Sequence, residues 1–351
     1  MSFKHRLFAA GLGAIAATGA DRRLRSVARG QGVILMFHHV RPWHPRTFAP
    51  NHVLEITPEF LDFALAELRR EGFEIIPLDA VPDRLRNEAR GRPFAVLTFD
   101  DGYRDSVEYA WPVLMRHRAP WTVFVTTDFA DGTGRLWWLE LERAVALMDR
   151  VTLVLGGERL DLPSRTAREK QAAFSAIHTR VRAGPQDRID ELLAVLDEEV
   201  ERRADTLAAT LCLSWSELDC LAGEPDVTIG AHTISHPMLA KLGSFVAMDE
   251  IGDGKAYLEQ RLGREMRHFA YPFGDPSAAG SREFGLARQA GFVTAVTTRP
   301  GHVFADHGAH LHALPRVSMN GLFQTQAALR ALLSGVPFLA WTRGRVINVE
   351  A

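Results

Sequence analysis

Two adjacent carboxylates, Asp100 and Asp101, directly follow an apolar run in the sequence. The run, residues 94–97, predicts a buried strand, so the carboxylates lie at its C-terminal end, where α/β folds place their chemistry. Gly102 allows the backbone to turn sharply and to bring its amides close to a ligand. Neighbouring carboxylates are costly unless a cation or a shared proton relieves them. The alternative for this segment alone is a strand that ends in a solvated Asp-Asp-Gly turn.

A second group of reactive side chains is a pair of histidines, His232 and His236, four residues apart. On a helix this spacing places both rings on one face, and in an extended segment the two residues also share a face. The pair follows a predicted strand at residues 227–229, so it belongs at the same end of the sheet as the carboxylates. Two neutral imidazoles and one carboxylate, with coordination positions left open, form a catalytic site for zinc or a similar divalent metal.

The elements that must position these side chains alternate along the chain. Apolar runs predict strands, and amphipathic runs between them predict helices. This alternation favours a mostly parallel sheet, either open or closed into a barrel. Strands are predicted at residues 32–37, 73–78, 94–99, 121–126, 227–231, 268–271, 292–297 and 314–317, and helices at residues 57–72, 106–117, 246–263, 282–291 and 323–333.

The alternation stops at Gly134. From residue 137 to about residue 222 the sequence is rich in charge and lacks strand patterning, which predicts a helical insertion into the α/β core. Trp137 and Trp138 open this segment. Their rings could stack on a sugar, or they could belong to the core.

The composition is that of a globular protein, with 351 residues of which 46% are hydrophobic and 24% are charged. A net charge of −2 gives no electrostatic case for a nucleic acid partner. The two cysteines, Cys212 and Cys220, do not imply a disulfide framework and lack the spacing of zinc ligands.

Residues 1–30 are expected to form an N-terminal helical segment. Lys4 and Arg6 precede a weakly apolar stretch, residues 7–20, which resembles part of a signal peptide but is too short to span a bilayer. Four arginines follow it, at positions 22, 23, 25 and 29. We expect an uncleaved helix that lies on the domain or on a membrane surface, in a cytoplasmic protein. Secretion through a signal-like N-terminus is the alternative.

Three motifs together resemble those of the NodB-homology polysaccharide deacetylases, carbohydrate esterase family four. They are Thr-Phe-Asp-Asp-Gly-Tyr at 98–103, His-Thr-Ile-Ser-His at 232–236 and Phe-Ala-Tyr-Pro-Phe-Gly at 269–274. The resemblance covers about residues 32–317. It implies a distorted (β/α)7 barrel in a domain spanning residues 31–345, with the helical insertion at about 137–222. It also implies removal of N-acetyl groups from an N-acetylglucosamine-containing poly- or oligosaccharide.

The resemblance also implies roles for individual residues. The first aspartate of the family's pair is the general base, which is Asp100 here. Asp101, His232 and His236 correspond to the ligands of one divalent metal, with zinc the expected ion. Many members carry an arginine in the third motif that orients the base, but this sequence has alanine at position 270. Arg316 is the candidate to replace it.

The catalytic acid is expected on the first strand. Many family members carry the acid histidine late in the chain, where His310 and His312 match the family's motif poorly. A subgroup that acts on poly-N-acetylglucosamine has the histidine on the first strand instead, and Met-Phe-His-His-Val at 36–40 looks like that arrangement. We therefore assign His38 as the acid, with His39 as the second choice.

The remaining expected site residues contact the substrate. The Tyr103 backbone amide would stabilise the oxyanion, and the aromatic rings would stack on sugar. The expected substrate-binding residues are Tyr103, Trp137, Trp138, Tyr271, Pro272 and Phe273. The alternative enzyme is a metal-dependent amidase that acts on a small cyclic amide. The alternative from another class is a carbohydrate-binding protein without turnover, which the intact carboxylate and histidine motifs argue against.

Overall fold

The computed structural model describes residues 3–87, 91–199, 206–342, 344–347 and 349. Its centre is built from short parallel strands, most of them fully buried. Together with strands outside this centre, the strands of the described residues are β1 (Gly32–Phe37), β2 (His39–Val40), β3 (Glu55–Ile56), β4 (Glu74–Ile75), β5 (Phe94–Phe99), β6 (Trp121–Val125), β7 (Arg150–Leu155), β8 (Glu158–Pro163), β9 (Val227–Ala231), β10 (His268–Ala270), β11 (Thr294–Pro300) and β12 (Leu314–Ser318).

Helices surround these strands. A π-helical turn, Ser106–Ala110, leads directly into α6. The α-helices are α1 (Phe3–Thr18), α2 (Ala20–Arg23), α3 (Arg25–Ala28), α4 (Pro58–Arg70), α5 (Val81–Arg86), α6 (Trp111–Arg116), α7 (Thr127–Ala130), α8 (Trp137–Leu147), α9 (Ala167–Ala183), α10 (Arg188–Glu199), α11 (Leu207–Leu211), α12 (Trp215–Ala222), α13 (Ser244–Leu262), α14 (Ser281–Gln289), α15 (Gln326–Leu333) and α16 (Val336–Trp341).

Seven strands close a parallel barrel in chain order: β1, β5, β6, β9, β10, β11 and β12, with β12 paired back to β1. The short strand β4 pairs with the first half of β5, and β6 pairs with its last half. Strand β4 therefore fills the gap between β5 and β6 at the amino end of the barrel. The predicted distorted (β/α)7 barrel is confirmed.

Alternate residues of the barrel strands face opposite sides, which gives the barrel two apolar cores. Ile34 and Val96 belong to the interior cluster, whereas Leu35 and Leu97 belong to the outer cluster, which packs against the helices. The alternation assigns Asp100 to the interior side. Because the strands are parallel, the residues that follow them meet at one rim of the barrel.

The segment 137–222 leaves the barrel between β6 and β9 and has an apolar core of its own. Its described residues are mainly helical, but they also contain an antiparallel hairpin, β7–β8, which the sequence analysis does not predict. The hairpin turns at Gly156 and Gly157, whose φ angles of 59° and 78° suit a two-residue hairpin turn. In the sequence, two adjacent glycines of this kind indicate a hairpin turn. The hairpin stays outside the barrel sheet.

The N-terminal helix α1 packs against the barrel domain. Leu12 is buried, and the ring of Phe8 lies 5.2 Å, centroid to centroid, from that of Phe323. Just after α1, the Asp21 carboxylate forms a 2.6 Å ion pair with Arg330 on α15. Within the described part of the chain, no helix is long and apolar enough to cross a membrane.

Candidate active site

The two carboxylates stand on a strained turn at the end of β5. Asp101 and Gly102 both have left-handed backbone conformations, with φ angles of 68° and 64°. Glycine adopts this conformation without cost, and aspartate tolerates it better than most residues. The consequence is that the two adjacent carboxylates meet different partners: Asp100 contacts an arginine, and Asp101 contacts two histidines.

Arg316 donates two parallel hydrogen bonds to the carboxylate of Asp100. Its Nη1 and Nη2 donate to Oδ1 and Oδ2 of Asp100 at 2.7 and 2.6 Å. Its Nε donates to the Thr297 carbonyl at 2.8 Å, which fixes the plane of the guanidinium. Burial would raise the pKa of Asp100, but the charge and the hydrogen bonds of Arg316, together with the charges of His232 and His38, outweigh burial and lower the pKa. The predicted contact is therefore present, and it keeps the carboxylate ionised.

Asp101, His232 and His236 form a compact, buried cluster. Oδ1 of Asp101 lies 3.3 Å from Nε2 of each histidine. Four-coordinate zinc with ligand bonds of ~2.0–2.1 Å places its ligand atoms about 3.3–3.4 Å apart, so these separations fit one ion. Burial would raise the pKa of Asp101, but its close contacts with the His232 and His236 rings hold the pKa well below its usual range. The donor set of two imidazoles and one carboxylate suits a catalytic divalent metal with open positions.

The His232 ring is oriented by a backbone carbonyl. Its Nδ1 lies 2.7 Å from the Ala270 oxygen. If Nδ1 carries the proton and donates it there, the lone pair of Nε2 faces the cluster, as a metal ligand requires. The His236 ring packs 4.8 Å from Phe273 and 5.1 Å from Trp138, measured between centroids. No pattern in the sequence indicates the Ala270 contact, because every residue has a carbonyl oxygen.

His38 and His39 have different surroundings. His38 directly follows β1 and is partly exposed. Burial lowers the pKa of His38, and the charges of Asp101 and Asp100 act to raise it. His39 is buried, its Nδ1 lies 2.7 Å from Oδ2 of Asp105, and its ring stacks on Tyr103 at 3.6 Å between centroids. The ring of His39 is therefore held in place by Asp105 and Tyr103.

The late histidines lie at the other end of the barrel. His310 and His312 precede β12, whereas the cluster residues follow their strands. Nε2 of His312 lies 2.8 Å from the carbonyl oxygen of Phe292, which precedes β11. Because β11 and β12 are parallel, both positions belong to the amino end of the strands, away from the rim that carries Asp100.

Several of the predicted sugar-stacking residues are in the wrong place for that role. Trp137 and Trp138 are only 2% and 5% exposed and belong to the core of the insertion. Tyr271 is fully buried, and its hydroxyl donates to the His312 carbonyl at 2.8 Å. A buried ring has no free face for a sugar, so these assignments are wrong and the core alternative holds for the tryptophans. Pro272 is also buried, so its ring offers no open face to a sugar, and its role as a substrate contact stays a prediction.

Phe273 and the Tyr103 amide remain available. Phe273 is partly exposed beside His236, and the Arg182 guanidinium carbon lies 4.1 Å from the centroid of its ring. The Tyr103 side chain is buried, but within the described residues its backbone N–H has no hydrogen-bond partner. Tyr103 and Cys212 lie opposite each other in an antiparallel bridge, but the hydrogen bonds of this bridge are formed by the residues on either side of them. One of these bonds runs from the Leu213 N–H to the Gly102 carbonyl. This N–H is free to bind a ligand oxygen.

Several solved structures share this fold, and some of them are deacetylases. IcaB from Ammonifex degensii is 19% identical, with a TM-score of 0.54, over 87% of this chain and 98% of that protein. The deacetylase PplD of Streptococcus pyogenes, solved with acetate, is 19% identical, with a TM-score of 0.53, over 86% of this chain and 97% of its own. The BpsB deacetylase domain of Bordetella bronchiseptica is 14% identical, with a TM-score of 0.50, over 82% and 95%. At these identities the likeness shows the fold.

The sequence itself matches a family model, while no curated protein gives a significant match. The model is that of the polysaccharide deacetylases, and it matches residues 87–153 and 169–295. These ranges include the carboxylate pair, both histidines and the third motif, and together they make up more than half of the chain. The protein therefore belongs to the polysaccharide deacetylase family, whose members are carbohydrate deacetylases and thus hydrolases.

Proposed function

We propose that the protein removes N-acetyl groups from a poly- or oligosaccharide that contains N-acetylglucosamine. We also propose that it uses one divalent metal, with zinc as the expected ion. The observation that carries the proposal is the pairing of two buried units at one rim: the Asp100–Arg316 pair and the three-ligand cluster. A base and a metal site beside each other are what hydrolysis of an amide requires.

Asp101, His232 and His236 would hold the metal. A bound divalent metal would acidify a water molecule and polarise the acetyl carbonyl. The three side chains are buried and already converge, so binding requires little rearrangement. Zinc is favoured because two imidazoles and one carboxylate are a donor set of catalytic zinc sites.

Asp100 is assigned the role of the base that takes the proton of the attacking water. Arg316 uses one lone pair on each carboxylate oxygen, so lone pairs remain to accept a proton. The guanidinium also prevents the carboxylate from rotating, which keeps the base in one orientation. A positioned base of this kind contributes about 10²–10⁴-fold to the rate.

Two steps remain: stabilisation of the oxyanion, which we assign to the Tyr103 N–H, and protonation of the leaving sugar nitrogen, which we assign to His38. The free amide on the Gly102 turn can donate to the oxyanion that forms from the acetyl carbonyl. His38 can deliver a proton to the sugar nitrogen, which is too basic to leave as an anion. Burial lowers the pKa of His38, and the charges of Asp101 and Asp100 offset only part of that effect.

We also propose that the N-terminal segment contacts an anionic membrane surface. The outward face of α1 carries no charged side chain between Leu7 and Thr18, and Leu7 is 65% exposed. Residues 1–30 hold six basic residues and one acidic residue, although the whole chain has a net charge of −2. Two such segments would repel each other, so charge favours an anionic partner over a second copy of the chain.

Acetate release tests the proposed activity. Purified protein of known metal content is incubated with N-acetylglucosamine oligomers of increasing length and, in parallel, with small cyclic amides. We expect acetate from the oligomers and no ring opening of the cyclic amides. Ring opening without acetate release would identify the alternative amidase, and binding of the oligomers without either product would identify a binding protein.

A further inference from the structure

We infer that Glu250, together with Gly254 on the same face of α13, is a positioning residue for the loop that carries the metal ligands His232 and His236. This inference rests on the proposed metal site. Neither residue touches the ligand side chains. Both contact the backbone between them, and neither lies in the three motifs at 98–103, 232–236 and 269–274.

The loop adopts a conformation that it would not keep by itself. Thr233 and His236 have φ angles of 67° and 63°, in the left-handed region. Residues other than glycine rarely occupy this region, and they remain there only where the surroundings hold them. In this loop one of the two strained residues is itself a ligand, so any relaxation of the backbone moves an imidazole out of the cluster.

Glu250 holds the middle of the loop with its carboxylate. Oε2 accepts hydrogen bonds from the backbone N–H groups of Ile234 at 2.9 Å and Ser235 at 3.0 Å. Oε1 accepts from the Ser235 hydroxyl at 2.6 Å. Hydrogen bonds to an ionised carboxylate are about twice as strong as those between neutral groups. One side chain therefore fixes the two residues at the centre of the segment that separates the two ligands.

Gly254 lets the helix come close enough for these bonds to form. It lies one turn after Glu250, so both residues face the loop. A Cβ at position 254 would lie 3.1 Å from the carbonyl carbon of Thr233 and 3.2 Å from the nitrogen of Ile234. These are backbone atoms, which cannot turn aside as a flexible side chain does. Any larger residue would push the loop away from α13.

The opposite side of the loop is held as well. The N–H groups of Thr127 and Asp128 on α7 donate to the carbonyls of Thr233 at 3.2 Å and Ile234 at 3.0 Å. The loop thus lies between α7 and α13: Glu250 on α13 accepts from two of its backbone N–H groups, and α7 donates to two of its carbonyls. A loop fixed from both sides presents the imidazoles in position before the metal binds, which raises metal affinity.

Metal affinity tests the inference without reliance on activity. The dissociation constant for Zn²⁺ is measured by competition with a chromophoric chelator, and the melting temperature of the metal-free protein is measured alongside. Glu250→Ala should raise the dissociation constant by about tenfold or more, in the range for lost supporting contacts at metal sites. Glu250→Gln should raise it less than about threefold, because the amide oxygen can still accept from both backbone N–H groups.

Two matched controls lie on the same helix. Gly252→Ala adds the same methyl group as Gly254→Ala, but its Cβ would meet only the end of the Met248 side chain at 3.8 Å. Asp253→Ala removes an exposed carboxylate. Gly254→Ala should weaken zinc binding, whereas both controls should leave it unchanged.

The inference is wrong if Glu250→Ala lowers only the melting temperature and binds zinc as the wild type does. It is also wrong if Glu250→Gln loses as much affinity as Glu250→Ala, since the negative charge and not the hydrogen bonds would then matter. A wild-type protein that binds no divalent metal would instead overturn the proposed metal site itself, which separates the two failures.

Discussion

Arg316 on β12 and Asp100 after β5 are joined by two parallel hydrogen bonds of 2.7 and 2.6 Å, and both side chains are buried. Strands β12 and β5 are the two neighbours of β1 in the barrel. The arginine that many family members carry in the third motif is absent here, since position 270 is alanine. The charge partner of Asp100 in this protein is therefore an arginine on the last barrel strand.

Asp100→Asn should keep the metal and lose most of the activity. The amide has nearly the shape of the carboxylate, but it cannot take a proton from water, and Asp100 is not among the cluster residues. We expect kcat to fall by about 10²–10⁴-fold, with unchanged metal content by elemental analysis. A variant that keeps both its metal and its wild-type rate would remove Asp100 from the mechanism.

The double variant His232→Ala/His236→Ala should lose its metal. Two of the three ligands are removed, and one carboxylate does not hold a transition metal tightly. Elemental analysis should give about one metal per wild-type chain and nearly none in the variant. The matched control is His44→Ala/His310→Ala, which removes two exposed histidines. Equal metal contents in both double variants would place the site elsewhere.

The sequence predicts the barrel and its rim because both depend on local patterns. Apolar runs locate the strands, and residues that directly follow parallel strands must meet at one rim, which brings Asp100 to the side of His232. Arg316 is a candidate because of the family resemblance, since the family's arginine is missing at position 270 and Arg316 lies on the last predicted strand. These inferences need no knowledge of how distant side chains pack.

The sequence cannot predict features that depend on packing between distant segments. Trp137 and Tyr271 are aromatic whether they line a sugar site or a core. Only the packing of the insertion around Trp137 and of the barrel's outer core around Tyr271 decides which. The Asp105 partner of His39 is another case, because nothing in the sequence states which carboxylate a buried histidine will meet. Glu250 lies on a helix whose sequence gives no sign of the loop it supports.

The pH dependence of stability should include a contribution from Glu55. Burial would raise the pKa of Glu55, but hydrogen bonds from Arg46 and Arg41 outweigh it and lower the pKa to about 2. A carboxyl group with a depressed pKa stabilises the fold above its unfolded pKa, about 4.3, and loses this effect as pH falls towards 2. Glu55→Gln should thus be less stable than wild type at pH 7, and the difference should shrink on acidification.

Denaturant unfolding at a series of pH values measures this effect. The matched control is Asp253→Asn, which neutralises an exposed carboxylate on α13. Its free energy of unfolding should track that of the wild type at every pH. A stability difference for Glu55→Gln that stays constant down to pH 2 would mean that the carboxylate charge is not the cause.

Membrane contact should depend on the arginines that follow α1. Arg22 and Arg23 are exposed, and each basic residue near an anionic surface contributes about 1 kcal/mol. Arg22→Gln/Arg23→Gln should therefore bind vesicles that contain phosphatidylglycerol about tenfold or more weakly, as measured by co-sedimentation. Arg159→Gln/Arg168→Gln makes the same change in net charge at exposed positions in the insertion and should bind as the wild type does.

Two results would contradict the membrane proposal. One is equal binding to vesicles of phosphatidylcholine alone, since basic side chains favour anionic lipid. The other is a dimer in solution that dissociates when Leu7 is replaced by serine, which would show that a second copy covers the exposed face of α1.

His38→Ala should impair deacetylation selectively. His38 follows β1, at the rim that carries Asp100, and the charges of both aspartates act on it. His312 precedes β12 at the amino end of the barrel, where its ring nitrogen meets the Phe292 carbonyl. A sugar amine needs a proton to leave, so loss of the acid should slow N-deacetylation by roughly two to four orders of magnitude. An activated acetyl ester has a good leaving group and should be hydrolysed at close to the wild-type rate.

The comparison of the two substrates makes the assignment decisive. Metal content should be unchanged in His38→Ala, because His38 is not part of the Asp101, His232 and His236 cluster. His312→Ala serves as the control and should hydrolyse both substrates normally. If His38→Ala slows amide and ester hydrolysis equally, the residue supports the structure of the site and is not the acid. If His312→Ala shows the selective loss instead, the proton comes from the late histidine, and the loop before β12 must move to deliver it.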